Sequence, residues 1–107
     1  MTVHQVFVHG ELAKKSTLMQ VLGREPLAVK AVLRGYERAL DPEIDYYVAA
    51  RKEGGIIEGR LLTGIAEREL LALDEFEGVS AKLYEKTMVE VEVGGGKALA
   101  YIYVRQL

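Results

Sequence analysis

The chain opens on a short run of β-branched and aromatic residues, Val3, Val6, Phe7 and Val8, stopped by Gly10. Residues of this kind fit a pleated, packed surface, so the run predicts a buried first strand. Ser16 offers an N-cap to a short helix over Thr17 to Leu22, and Gly23 stands where a helix ends. Between Ala28 and Ala39 the apolar positions Val29, Val32, Leu33 and Tyr36 mix with charges, and the centre of the segment reads as a strand. Tyr46 to Ala50 and Ile56 to Leu62 read as two strands joined by Glu53-Gly54-Gly55, a hairpin turn in composition. Ala66 to Glu77 is the clearest helix, closed by Gly78. From Thr87 to Val93 the pattern alternates, with Thr87, Val89, Val91 and Val93 on one face and Met88, Glu90 and Glu92 on the other. Gly94-Gly95-Gly96 turns the chain, and Ala98 to Val104 returns as a strand that is apolar on both faces. Antiparallel hairpins with segregated helices predict an α+β fold rather than a doubly wound parallel sheet.

One helix breaks its own pattern. Leu70 and Leu73 define an inward stripe, and the next positions at helical spacing are Asp74 and Glu77. Asp74, Glu75 and Glu77 also crowd the helix C-terminus, where the dipole disfavours anions. A sequence that breaks a local rule in this way often does so at a functional site. A carboxylate half-buried there would have a raised pKa, which suits proton transfer near neutral pH. The same spacing also suits an acidic outer face in water.

Composition narrows the chemistry. The 107 residues carry 14 basic and 16 acidic side chains, a formal charge of −2. That length holds one core, so the expectation is a single domain over 1–107. The charge balance makes nucleic acid a poor partner. There is no cysteine, which removes disulfides, thiolate nucleophiles and cysteine metal sites, and only two histidines. His4 and His9, five apart on a strand, face opposite sides and make no metal pair. No apolar run approaches the ~20 residues of a membrane helix. No secretory signal is visible at Met1 to Leu12, so a cytoplasmic protein without membrane partners is expected.

Several segments, in order along nearly the whole chain, resemble the γ-glutamylcyclotransferase-like family, which includes the AIG2-like proteins. Val6-Phe7-Val8-His9-Gly10-Glu11-Leu12 stands where the family has a strand running into Tyr-Gly-Ser/Thr-Leu. Ala31 to Tyr36 is similar to its Gly-Tyr strand, and Ile57-Glu58-Gly59-Arg60-Leu61 to its Val-x-Gly-x-Leu strand. Leu73-Asp74-Glu75-Phe76-Glu77-Gly78, followed by Tyr84, is the most specific match, and Ala100 to Val104 resembles the closing strand. The resemblance implies a small mixed β-barrel flanked by one or two short helices, with a cavity at one end. It implies cyclotransferase chemistry on a small γ-glutamyl amide, releasing 5-oxoproline and an amine, with Glu77 as general acid/base. Backbone amides of the loop His9, Gly10, Glu11 and Leu12 would cradle an anion, and Tyr84 and Tyr103 would line the pocket. No metal or organic cofactor is implied, and the expected assembly is a monomer or weak homodimer.

His9 replaces the family's Tyr, and Glu11 its Ser/Thr. His9 reads as a pocket residue, as a proton partner of Glu77, or as a satisfied histidine at a strand end. An ionised Glu11 pointing into the cradle would repel an anion by about 4 kcal/mol at 4 Å and an effective dielectric of 20. That is roughly a thousandfold in affinity; pointing outward, it would cost little. The alternative to an enzyme is a non-catalytic small-molecule binding or interaction protein on the same fold. Finally, the chain lacks Cys, Trp and Asn and is 28% charged, a pattern expected of a protein from a thermophile. Its thermal midpoint should then lie above about 60 °C, and a lower value by calorimetry would contradict this origin.

Overall fold

The β-branched run at the N-terminus becomes strand β1 (Val3–Val8), and the remaining elements follow as α1 (Lys15–Leu22), β2 (Ala28–Asp41), β3 (Tyr46–Ala66), α2 (Glu67–Glu77), β4 (Tyr84–Val93) and β5 (Gly96–Arg105). A 3-10 turn occupies Gly10–Ala13. This computed structural model describes residues 3–41, 46–77 and 84–105; the expected helix stop at Gly78 lies outside them. No helix among the described residues is long and apolar enough to cross a membrane.

β3 organises the sheet, pairing antiparallel with β1 along one edge and with β2 along the other. β4 and β5 form a second antiparallel pair around the turn at Gly94. The two pieces meet at isolated register pairs: Val32 with Glu92, Val6 with Tyr101, and Ala49 with Val104. The expected small mixed β-barrel is corrected accordingly. The fold is mixed α+β, two helices flanking a five-stranded sheet. Pairing does run in the order β1-β3-β2-β4-β5, but β2 with β4, and β5 with β1 and with β3, are joined by one residue pair each, so the sheet is not the small mixed β-barrel expected. Twisted sheets that meet edge to edge diverge quickly, which leaves little ladder at the joints.

Two local expectations also change. The segment Tyr46 to Leu62 is not a hairpin, because both of its halves pair antiparallel with the same strand. Arg34 sits opposite Ile56 and Tyr36 opposite Arg51, so Glu53-Gly54-Gly55 is extra length bulged out of one strand. Gly54 takes φ +79° there, and a Cβ on Gly55 would fall 2.5 Å from the Tyr36 carbonyl oxygen. The first helix begins at Lys15 behind Lys14, so Ser16 lies inside it rather than capping it. Gly23 does end it, in the left-handed conformation at φ +76°.

Two apolar clusters share the strands. One consists of strand residues alone, including Phe7, Leu33, Ile57, Val91, Ala100 and Ile102. The other lies under the helices and joins Val6, Val8, Leu62 and Tyr103 to Leu18, Leu70 and Leu73. β1 and β5 therefore bury alternate side chains on opposite sides, which is why Val6 to Val8 and Ala100 to Val104 are apolar without a break. α2 is fastened at its start by Glu69, which takes two hydrogen bonds from Arg24, at 2.6 and 2.8 Å, and one at 2.9 Å from the Ala66 amide. That last contact is half of a capping box.

Gly59 marks the tightest approach in the sheet. A Cβ there would lie 2.3 Å from the Val8 carbonyl oxygen and 2.7 Å from Phe7 Cζ. Gly59→Ala should cost about 1–3 kcal/mol, as overpacking does, read as a lower urea midpoint; an unchanged midpoint would contradict this packing.

Candidate active site

The leucines of α2 carry the site with them. Leu73 is fully buried, and Glu77, one helical turn further on, is buried as well. Glu77 forms one wall of a pocket where several strand ends meet. Val8 and His9 come from the end of β1, Leu12 from the 3-10 turn, Val48 and Ala49 from β3, Tyr84 from the start of β4 and Tyr103 from the end of β5. Its innermost space is about 20 Å³ for the centre of a water molecule, roughly one water. Counted out to its open mouth, the space between the walls is about 330 Å³. A wider cleft, with about 540 Å³ open to the centre of a water molecule against the 20 Å³ here, lies elsewhere, among Lys30, Glu58, Arg60 and Glu92. Convergence of buried polar groups, not size, marks the first as the site.

The residues singled out from the sequence fall as follows. His9, Leu12, Glu77, Tyr84 and Tyr103 all line the pocket. Gly10 lies between His9 and Leu12 at φ +61°, and Arg38 Nη2 is 3.8 Å from where its Cβ would be. Glu11 points away. Its carboxylate accepts a 2.5 Å hydrogen bond from the Thr17 hydroxyl and one of 3.2 Å from Lys14, and these hold its pKa below the usual range. The repulsion an inward Glu11 would cause is therefore absent, and only its backbone borders the loop.

His9 stacks near Phe7, with ring centroids 6.4 Å apart. Its Nδ1 is buried with no hydrogen-bond partner among the described residues. Burial, reinforced by the charge of Arg38, lowers its pKa to about 4. At neutral pH it is an uncharged ring and adds no cation to the pocket. His4 is elsewhere, 2.5 Å from Glu67, and among the described residues no group of three acidic or histidine side chains could hold a metal.

Tyr103 belongs to a short polar chain that sequence reading did not assemble. Its hydroxyl donates to Asp74 Oδ1 at 2.7 Å, and Lys86 Nζ donates to Asp74 Oδ2 at 2.9 Å. The ammonium also lies 5.0 Å from the centre of the Tyr101 ring, within cation–π reach. Burial first, then the bond to Asp74 and the charges of Asp74 and Glu77, push the phenol's pKa up, so it stays protonated. The one signal for Asp74 was its place on the Leu73–Glu77 stripe; Lys86 carried none.

The fold and this pocket define a class, and comparison places the chain in it. The family profile described as gamma-glutamyl cyclotransferase, AIG2-like, matches residues 6–107, and the chain belongs to that family. It is 35% identical over 103 residues to a Methanocaldococcus jannaschii protein whose name joins a gamma-glutamylcyclotransferase to a proposed RNase, covering 96% of this chain and 46% of that one. It is 33% identical over 88 residues to Arabidopsis thaliana protein AIG2 C, covering 82% and 52%. The chain thus spans about half the length of these curated relatives. An Arabidopsis thaliana protein solved in solution superposes with a TM-score of 0.86 at 28% identity, over 98% of this chain and 70% of that one. A structure described as a gamma-glutamyl cyclotransferase superposes with a TM-score of 0.83 at 15% identity, over 98% and 68%, a likeness of fold alone.

The buried imidazole predicts a pH dependence. Between its ordinary value of 6.5 and about 4, the unfolded chain takes up a proton at His9 that the folded chain refuses. The His9 contribution to stability therefore falls as pH drops through that window and levels off below it. Glu69 and Glu11, whose pKa values are lowered from 4.5, begin to act only at the acid end of that window and add to the fall below it. His9→Gln should flatten the melting midpoint between pH 6.5 and 4; an unchanged slope would contradict the burial of Nδ1.

Proposed function

We propose that the chain is a γ-glutamyl cyclotransferase acting on a small γ-glutamyl amide. The observation that carries this reading is the burial of Glu77 in a pocket that also holds His9, Leu12, Tyr84 and Tyr103. Family membership and the cyclotransferase fold of its relatives support it.

In this reaction the α-amino nitrogen attacks the side-chain carbonyl carbon of the same γ-glutamyl group. A C–N bond forms to close the five-membered lactam, and the bond from that carbon to the leaving nitrogen breaks. Glu77 takes the proton from the attacking amine and returns it to the leaving nitrogen, so one carboxylate serves both halves. Backbone amides of Gly10, Glu11 and Leu12 receive the negative charge of the carbonyl oxygen or the substrate carboxylate. The first amides of a short helical turn have no partner within it, and they gain most from an anion when water is excluded. The Glu11 carboxylate, held by Thr17 and Lys14, adds no repelling anion to that cradle. Ring closure also requires the substrate to fold back on itself, and the apolar walls at Val48, Ala49 and Leu12 favour the folded form.

The test is incubation with γ-glutamyl amines of varied leaving group, with 5-oxoproline as the readout. Wild-type protein should release it. Glu77→Gln should abolish the product while keeping the fold, a loss of at least about 100-fold, as for a general acid/base. Equal product from both proteins would exclude the mechanism. Stabilisation by the same compounds without turnover would favour a binding protein.

A further inference from the structure

We propose that the wide cleft along the β2–β3 ladder is a second binding site, for a small hydroxylated phosphate monoester whose phosphate sits between Lys30 and Arg60. The cleft shares no lining residue with the pocket around Glu77, and its ligand is independent of the cyclotransferase reading.

In the antiparallel ladder of β2 and β3, Lys30 lies directly opposite Arg60, and Ala31 opposite Gly59. Ala31 is buried in the cluster built of strand residues alone, so by alternation Lys30 and Arg60 project together from the other face. Residues paired in this way hold their Cβ atoms about 5 Å apart, where like charges repel. Among the described residues neither side chain has a hydrogen bond or an ion pair to offset that repulsion. Other cations of the sheet do: Arg34 reaches Glu92 at 2.5 Å, and Lys97 reaches Glu90 at 3.5 Å. Glu58, opposite Val32 and so diagonal to Lys30, is likewise unpaired among the described residues. All three line one cleft of about 540 Å³, a size that holds a small molecule.

A single carboxylate would satisfy one cation and leave the other facing it. Two cations on one rung suit a group with several charged oxygens, and a phosphate monoester carries about −1.5 to −2 at pH 7. The guanidinium offers a planar fork to two of its oxygens, and the ammonium a compact charge to a third. Glu58 can only accept, so the body of the ligand must bring a hydroxyl to it. A continuous nucleic-acid backbone fits poorly, because Glu58 and Glu92 line the same cleft and repel successive phosphates.

The test is calorimetric titration at low salt with glucose 6-phosphate as the probe, against glucose, inorganic phosphate and a single-stranded oligonucleotide. Glucose 6-phosphate should bind and glucose should not. Lys30→Gln and Arg60→Gln should each weaken it by about 10–100-fold, the range of one charge-assisted hydrogen bond. Glu58→Ala should lose affinity for glucose 6-phosphate relative to inorganic phosphate. Neither cation variant should lower the melting midpoint, since each removes one of two facing like charges, so lost binding is separable from lost folding. In amide NMR spectra the ligand should shift Ala31, Gly59 and Gly94, which line the cleft, and not His9 to Leu12. No binding of glucose 6-phosphate, unchanged affinity in both cation variants, or shifts confined to His9 to Leu12 would overturn the proposal. So would inorganic phosphate binding as tightly as glucose 6-phosphate, or the oligonucleotide binding more tightly through the same two cations.

Discussion

Leu70 and Leu73 can reach the sheet only if the other residues on their side of α2 go in with them. Those residues are Glu69, Asp74 and Glu77, and a buried carboxylate is costly unless something meets its charge. Much of the molecule supplies those partners. Arg24, just beyond α1, closes on Glu69 with a forked pair of hydrogen bonds and also reaches the Gly64 carbonyl at 3.0 Å. Lys86 on β4 and Tyr103 on β5 converge on Asp74. α2 is thereby tied to α1 at one end and to the β4–β5 pair at the other. Glu77, last in the row, faces the pocket.

A second constraint is the number of cores that one short chain must fill. Strand residues alone build one cluster, and strand and helix residues build the other, so β1 and β5 are buried on both sides. The pocket lies where the second cluster runs out, at the ends of β1 and β5 and the starts of β3 and β4. Its walls are apolar for the same reason the core is, and its polar groups arrive at the edges of elements. A reaction that needs a folded-back substrate, one proton carrier and an anion cradle can be housed in such a place without a metal ligand set or a thiol.

Much of this was legible in the residues. The period of Leu70, Leu73 and Glu77 put a carboxylate on the inner face, the alternation from Thr87 to Val93 made a strand, and Gly23 ended a helix; each is a local rule acting over a few residues. The failures were not local. Glu53-Gly54-Gly55 has the composition of a hairpin turn, yet both flanks find the same partner in β2, and only that distant strand makes the segment a bulge. Ser16 would serve as a cap if the helix began there, but the 3-10 turn before it starts the helix earlier. A small mixed β-barrel is what the family resemblance implies, but the joints that would close it are single residue pairs.

The same division runs through the site. Which residue types were present, and on which face of which element, was decided by covalent order and helical or pleated period, which sequence alone contains. Family membership was legible for that reason: the order and spacing of motifs do not depend on contacts. The direction of Glu11, the empty Nδ1 of His9 and the bond from Tyr103 to Asp74 were settled by tertiary structure. Each depends on groups that meet through space, and the Tyr103–Asp74 pair is separated by 29 positions along the chain. Long-range meetings of that kind are selected by the packing of whole elements, and no local pattern records them.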